Sequence, residues 1–525
     1  MLQDWYEFGG CIIREVSGLE KALLMAVDLG TSFIKCGLYD TLGRCAAEAM
    51  ESVKDERPGP GIFIQKGEDL FASVLACMKQ VCRQIENSEW SVEAIAFTGQ
   101  MSGFMGIDKN WNDITTWSCS LDSRYMPYAR KQMELHKDEF LKTGGTNFPQ
   151  MAPKYVWFKE EFPEESRKIE KYLMISGYVI GRLGKLDIDQ AVMDISYASW
   201  TGLADMHKGI WSEEICDSIG LERKNLPRMV QSDCICGSLS EEYAKQIGLK
   251  SGIPLVAGAG DKVAGCLGAA VVEPGDAIFE ASSYGEISCC VEEYRPDMKE
   301  RRLDVLAAAI PGLYYATHFA AGSGITLDWA VNTFIKSPEE TLKDAFIRAD
   351  RMAADVVPGC GGMMAVGLLG GSSMPLDGNL KGIFMGFDWS HHAGHFYRAL
   401  LESFSFDFSL ALERVRDLYP EYTWNRMKMT GGGAKSTLWP QICADITGVT
   451  HTILDRNDVS MWGASILAGH AVGIFRDMKQ TAKQFVKKRM DFEAVHPMDE
   501  AYVKQKQIYR EYTEIMGGFC KKLSA

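Results

Sequence analysis

Apolar positions along the chain follow two periods. An unbroken apolar run from Leu23 to Val27 stops at Asp28-Leu29-Gly30-Thr31-Ser32, and a second run from Phe33 to Tyr39 sets Ile34, Cys36 and Leu38 against Lys35 and Gly37. A buried run, a Gly-centred break and a period-2 return predict a β-hairpin with a polar turn. Downstream, Leu70, Val74, Met78, Val81 and Ile85 share one face of a 3.6-residue period and predict an amphipathic helix. "VEAIAF" then reads as a buried strand, "TGQMSG" as a turn and "FMGID" as a further strand. Strands alternating with helices predict an α/β fold, a mixed sheet covered by helices.

The pattern returns in the second half. "IPLVAGAGDKVAGCLGAA" reads as a strand, a Gly-rich turn with Asp261, and a helix of small residues. Asp276 to Ala281 and Glu286 to Val291 then read as two strands about the hydroxyl-rich turn Ser282-Ser283-Tyr284-Gly285. This hairpin lies roughly 250 residues after the first and has the same plan, so the chain is expected to contain two related halves facing each other. Near the end, "MKMTGGGAKSTLWPQICADITGVTHTILD" reads as strand, glycine triplet, helix and strand. Leu438, Ile442 and Ile446 recur every four residues, and Gly448 stands where a helix ends. A terminal helix carries Tyr502, Ile508, Tyr509 and Tyr512.

Composition narrows the function. The chain has 525 residues, 46% hydrophobic and 24% charged, with a net charge of -14. An acidic balance argues against nucleic acid as a main partner, because phosphate binding needs a basic surface. No apolar run approaches a membrane span, so no membrane partner is expected. Residues 1–21, here taken as an N-terminal extension of unassigned role, lack the basic start and apolar core of a signal peptide. Fifteen cysteines without such a signal read as reduced thiols of a cytoplasmic protein. The pairs Cys234/Cys236 and Cys289/Cys290 lack zinc spacing, and His391, His392 and His395 in "DWSHHAGHF" read as a polar loop before a helix.

Candidate chemistry sits in the turns. Gly30, Thr31 and Ser32 supply N–H and O–H donors, and Lys35 a cation, for a polyphosphate. Asp28 beside them would repel that anion unless a magnesium ion or its waters stood between them. The same residues also suit a plain hairpin with a polar turn. Asp261 either caps the following helix or accepts the proton of a substrate hydroxyl during phosphoryl transfer. Lys262 would help to keep Asp261 ionised if its side chain turned inward. Gly431 to Gly433 let backbone lie flat on a base or an anion, although a flexible loop is the commoner cause. Neither the GxxxxGK[ST] loop nor a GxGxxG fingerprint is present.

Taken in order, "VDLGTSFIKCGLYD", "FTGQMSGFMGID", "LDSR", "KYVWFKEE", "GAGDKVAGCLGAAVVEPGD", "GSGITLDW", "RALLESFSF" and "GGGAKSTLWPQICADITG" resemble segments of the FGGY family of carbohydrate kinases, in a xylulokinase-like version. The resemblance implies two actin-like (ribonuclease H-like) domains, here residues 22–257 and 258–525, with ATP and a sugar in the cleft between them. It implies a kinase of a small sugar, most plausibly a ketopentose, that uses ATP and Mg2+ and is often a homodimer. Asp261 matches the general base and Asp28 the acid that organises magnesium. Gly30, Thr31, Ser32 and Lys35 match the first phosphate hairpin, and Ser282 and Ser283 the second. Gly324, Gly432, Gly433 and Thr437 fall at the nucleotide, and Gln100, Met101, Ser102, Asp261 and Lys262 at the sugar. Departures are visible: Ala281-Ser282-Ser283 stands in place of Gly-Thr, Ser102 in place of a histidine, Ser120 in place of the tryptophan two residues before Asp122, and Lys262 in place of Gln or Asn. They leave open a kinase of another ketose, a polyol or an autoinducer-like sugar. They also leave open an actin-like ATPase or sugar-responsive regulator that transfers no phosphate.

Overall fold

In the computed structural model, residues 21–523 are described except 87, 321, 497 and 498. The expected N-terminal extension therefore lies, apart from Lys21, outside the described residues.

Two sheets organise the chain. The first is built from β1 (Ala22–Leu29), β2 (Phe33–Asp40), β3 (Cys45–Ser52), β4 (Ser91–Gly99), β5 (Ile235–Ser238) and β6 (Pro254–Val256), in the order β5-β6-β4-β1-β2-β3. The second contains β7 (Ala277–Ala281), β8 (Gly285–Val291), β9 (Asp304–Ala307), β10 (Tyr314–Ala320), β11 (Arg426–Thr430), β12 (Thr450–Leu454) and β13 (Lys488–Phe492), in the order β9-β10-β8-β7-β11-β12-β13. Each sheet opens with an antiparallel hairpin whose first strand also pairs in parallel with a later one, β1 with β4 and β7 with β11. The two halves expected from the paired hairpins are thus both present.

The first strand continues past Val27 through Asp28 and Leu29. Asp28 lies in register with Lys35 of β2 on one side and Thr98 of β4 on the other, so the ladder carries the carboxylate to the rim of the sheet. The predicted amphipathic helix is α1 (Gly67–Arg83), with Leu70, Val74, Met78 and Val81 buried. Six more helices matter here: α2 (Asp261–Gly268), α3 (Ser323–Ala330), α4 (Ala393–Leu418), α5 (Trp439–Thr447), α6 (Val459–Ala471) and α7 (Glu500–Leu523). His392 caps α4, so the histidine group is a polar helix start, and no metal-binding group of three or more His, Cys, Asp or Glu occurs among the described residues.

The halves are tied together by α6, which is apolar nearly all round, as a fully buried helix must be. Although late in the chain, α6 packs on β1, β4 and α2, and its residues join the core of the first sheet. Gly268 of α2 and Gly463 of α6 let the two backbones touch, since a Cβ on either would meet the other helix's main chain. The Tyr39 hydroxyl donates to Asp458 Oδ2 (2.6 Å), and His470 Nδ1 lies 3.0 Å from Asp233 Oδ2. No helix among the described residues is long and apolar enough to cross a membrane.

Candidate active site

The rims of both sheets converge on one charged space. From the first sheet come Asp28 and Lys35, paired at 4.0 Å across the β1–β2 hairpin, with Gly30, Thr31 and Ser32 forming its turn. The Thr31 hydroxyl donates to Gln100 Oε1 (3.2 Å), so this turn touches the predicted sugar loop. Gln65 Nε2 donates to the Thr31 carbonyl (2.8 Å) and fixes the turn from the other side. Gln100 and Met101 are buried and Ser102 is half-buried. A Cβ at Gly260 would lie 2.5 Å from Met101 Sδ, which places the Gln100-Met101-Ser102 segment against the residue preceding Asp261.

Asp261 is the first residue of α2. Gly260 holds the capping position and no side chain caps the helix, so the capping role left open for Asp261 is not realised; its Oδ1 instead accepts the Lys262 N–H at 2.8 Å. Burial pushes the Asp261 carboxyl up to about 7; Lys262 opposes this, while Glu280 and Asp28 reinforce it. Asp28 is also raised, first by burial, against the pull of Lys35 and with a push from Glu280. Charges on Asp28, Asp261 and Glu280 therefore act on one another across the two sheets, so the three carboxylates lie near one another.

The approach to Asp261 is braced by residues with no periodic signal in the sequence. Ser196 Oγ accepts the Gly260 N–H (2.9 Å) and itself donates to Asp194 Oδ1, while the Ser232 hydroxyl donates to Asp194 Oδ2 (2.7 Å). Asp194 is buried, and burial raises its carboxyl to about 6 against the hydrogen bonds from Ser196 and Ser232. Glu280 and Glu286 are the other group that sequence reasoning passed over. They stand opposite each other in the β7–β8 register, and Lys262 Nζ lies 2.7 Å from Glu280 Oε2 and 3.6 Å from Glu286 Oε2. Lys262 thus points to the glutamates, with no ion pair to Asp261 among the described residues. The available signal was a lone acid in each of two otherwise apolar or small-residue strands.

Around the second turn the structure gathers three segments that are distant in sequence. The amides of Gly324 and Ile325 donate to the carbonyls of Ser282 (3.2 Å) and Ser283 (3.3 Å). Gly431 has φ of 85° and would place a Cβ 2.6 Å from the Ala281 carbonyl oxygen, and a Cβ on Gly433 would lie 2.6 Å from that of Ala281. Only glycine allows this approach. Gly432 and Thr437 are exposed beside it, and the Ser436 hydroxyl, not that of Thr437, accepts the Leu438 and Trp439 N–H groups at the start of α5.

The donor set fits a magnesium–triphosphate. Two polar turns rich in hydroxyl groups, one cation on each side and mutually repelling carboxylates are what such a ligand neutralises. Comparison with known proteins agrees. The FGGY family of carbohydrate kinases matches with its N-terminal domain over residues 23–268 and its C-terminal domain over 283–472. The chain is 26% identical over 501 residues to the xylulose kinase of Staphylococcus epidermidis, covering 94% of this chain and 96% of that one. It is 27% identical over 462 residues to the gluconokinase of Bacillus subtilis, covering 86% and 88%. The crystal structure of a gluconate kinase from Lactobacillus acidophilus superposes with a TM-score of 0.85 at 21% identity, over 95% of this chain and 98% of that one. Both domains of one family are thus matched in order, on a chain folded as two such halves around a shared carboxylate cluster, and the protein belongs to the FGGY family of carbohydrate kinases.

Proposed function

We propose that the protein transfers the γ-phosphoryl group of ATP to a hydroxyl of a ketopentose such as xylulose, with Asp261 as general base. The observation that carries this reading is the Asp261 carboxyl, raised to about 7 and braced through Gly260 by Ser196 and Asp194. A base titrating near neutrality is stronger than an ordinary carboxylate and is still ionised in a large share of molecules at pH 7. The substrate hydroxyl, held between the Gln100-Met101-Ser102 loop and Lys262, gives its proton to Asp261 as its oxygen attacks the γ-phosphorus, and ADP departs. Gly30, Thr31, Ser32 and Lys35 meet the phosphates from one side, and Ser282 and Ser283 from the other. Gly324 lies near the phosphates beside Ser282, and Gly432, Gly433 and Thr437 border the nucleoside end. Mg2+, when bound, neutralises phosphate charge, and Asp28 would hold it through water. Closure of the two halves excludes water, so that the sugar and not water is the acceptor.

The ketopentose is supported by the S. epidermidis relative being a xylulose kinase. The same reading takes the protein to be cytoplasmic, in line with no disulfide joining the described cysteines. It also takes it to be a homodimer, in line with the exposed Ile515 and Phe519 one turn apart on α7, which light scattering would check. The test is a panel of ketoses, gluconate, polyols and autoinducer-like sugars assayed for sugar-dependent ADP release, with Asp261→Asn alongside. D-Xylulose is expected to drive release, and Asp261→Asn to lower it at least about 10³-fold. ATP turnover indifferent to every sugar, or full activity of the variant, would refute the reading.

A further inference from the structure

Glu280 and Glu286 have no part in the chemistry above, yet they sit directly opposite each other across β7 and β8. Like charges in that arrangement repel. A pair of this kind inside an otherwise apolar hairpin needs a cation, and the cation comes from another element: Lys262, the residue after the base, on α2. The two acids differ in setting. The Glu280 side chain is 32% exposed and that of Glu286 only 3%; Glu286 Oε1 accepts the Ser288 hydroxyl (2.7 Å), and its Oε2 is buried without a hydrogen-bond partner. Burial drives the Glu286 carboxyl up, Lys262 works against this, and Glu280 adds to it. The outcome is geometric. An ammonium adjoining Asp261 in sequence is drawn onto the second hairpin, at 2.7 Å from one glutamate and 3.6 Å from the other. It has three N–H donors. Glu280 takes one, Glu286 stands beyond hydrogen-bond distance, and the lysine side chain keeps 16% of its surface exposed.

We propose that Glu280 and Glu286 are positioning residues that hold the Lys262 ammonium away from Asp261, with an N–H left to donate to an oxygen of the bound sugar beside the reacting hydroxyl. This inference rests on the assignment of Asp261 as the base and adds how the sugar is oriented over it. The clamp serves two ends. It keeps the lysine from closing an ion pair on the base, and it fixes a long, flexible side chain whose freedom would otherwise be lost only on substrate binding. Glu286 is the buried anchor and Glu280 the arm at the cleft. Neither touches the reacting atoms, so both act through Lys262.

A double-mutant cycle tests this with the sugar that drives the fastest ADP release in the panel above. Glu286→Gln is expected to raise the KM for that sugar about tenfold with the KM for ATP changed less than about twofold, as loss of an oriented charged hydrogen bond predicts. In a Lys262→Gln background, Glu286→Gln should change neither constant further. A merely structural glutamate would cost as much in both backgrounds, and equal effects, or no effect of Glu286→Gln on the wild type, would overturn the clamp. If Lys262→Gln does not fold by far-UV circular dichroism, Glu280→Gln in combination with Glu286→Gln replaces it: the clamp requires less than additive losses in sugar KM, and additive losses refute it. Asp261→Asn separates the two layers. Loss of turnover in that variant with an additive cycle sinks the clamp alone. Retained turnover, or no sugar that drives release, sinks the base assignment and the clamp with it.

Discussion

The two hairpins at the site answer the same electrostatic problem differently. In β1–β2 the register sets Asp28 against Lys35, acid against base, and the pair is complete within one hairpin. In β7–β8 the register sets Glu280 against Glu286, and the missing cation arrives from α2. The turns differ as well: Leu29 pairs with Ile34 around residues 30–33, whereas Ala281 pairs with Gly285 around the shorter 282–284. A self-neutralised hairpin needs no cation from another element. A like-charged one cannot be comfortable until the helix bearing Asp261 is docked on it. Among the described residues, the second hairpin is therefore joined to the helix bearing Asp261 by an ion pair, and the first is not.

The strongest way to sharpen this contrast is to remove the acid at its centre. Beyond abolishing turnover, Asp261→Asn should stabilise the protein at pH 8. The carboxyl titrates at about 7 in the folded state against 3.8 for a free aspartate, so between those values the folded state holds a proton that the unfolded state has lost. Stability then falls as pH rises through that window, and the penalty is complete above 7. Asp261 is only half-buried, so solvent screens part of it, which leaves about 2 kcal/mol for the asparagine to recover. Urea unfolding midpoints should show the gain at pH 8 and its disappearance near pH 4. A gain independent of pH would mean that burial of the charge is not its source.

Next in size is the cation. Lys262→Met leaves Glu280 and Glu286 opposed inside a buried hairpin, and loss of a largely buried partner costs about 2–3 kcal/mol in urea unfolding at pH 8. The loss should shrink as pH falls below about 8, where burial lets the Glu286 carboxyl take up a proton in place of the lysine. An undiminished loss at low pH would assign it to packing of the lysine stem.

How far the sequence told this story depended on the range of each interaction. The β1–β2 hairpin was legible because its signal is local: Ile34, Cys36 and Leu38 alternate within a few residues of the glycine break. Asp261 was legible because a run of small residues ends in one acid just before a helix. Asp194 was not, because its link to Gly260 passes through Ser196, and hydroxyl hydrogen bonds over 64 residues leave no period to read. The return of α6 to the first sheet was missed for a different reason. A helix apolar on all faces announces burial and says nothing about which core will hold it. Lys262 was singled out, but toward Asp261; its actual partners required knowing the register of a hairpin 18 residues on.

Exchanging the turns tests whether their difference in shape matters for the nucleotide. Gly30→Ser copies the second turn into the first, and its Cβ would fall 2.6 Å from the Phe33 carbonyl oxygen, so the turn must move. The KM for ATP should rise about tenfold, the equivalent of about 1.4 kcal/mol. Ser282→Gly copies the first turn into the second and, within the protein, removes the Ser282 hydroxyl bond to the Tyr284 carbonyl (2.9 Å), with a rise below about threefold. Equal effects from the two exchanges would show that turn shape is not what distinguishes the hairpins.

The smallest effect is expected at Lys35, and its smallness is the point. The Lys35 side chain is 48% exposed, its ammonium is 4.0 Å from Asp28, and exposed pairs of that length contribute about 0.5 kcal/mol or less. Lys35→Met should therefore barely move the unfolding midpoint, in contrast to Lys262→Met, although both lysines neutralise an acid in equivalent hairpins. Its effect should instead be seen in the KM for ATP, because the lysine's remaining donors are available to phosphate, and that effect should weaken as salt is raised from 0.05 to about 0.5 M while the effect of Lys262→Met on stability does not. A stability loss at Lys35 as large as that at Lys262 would mean that both hairpins depend on their cation for folding, and the division between a self-sufficient hairpin and a docked one would fail.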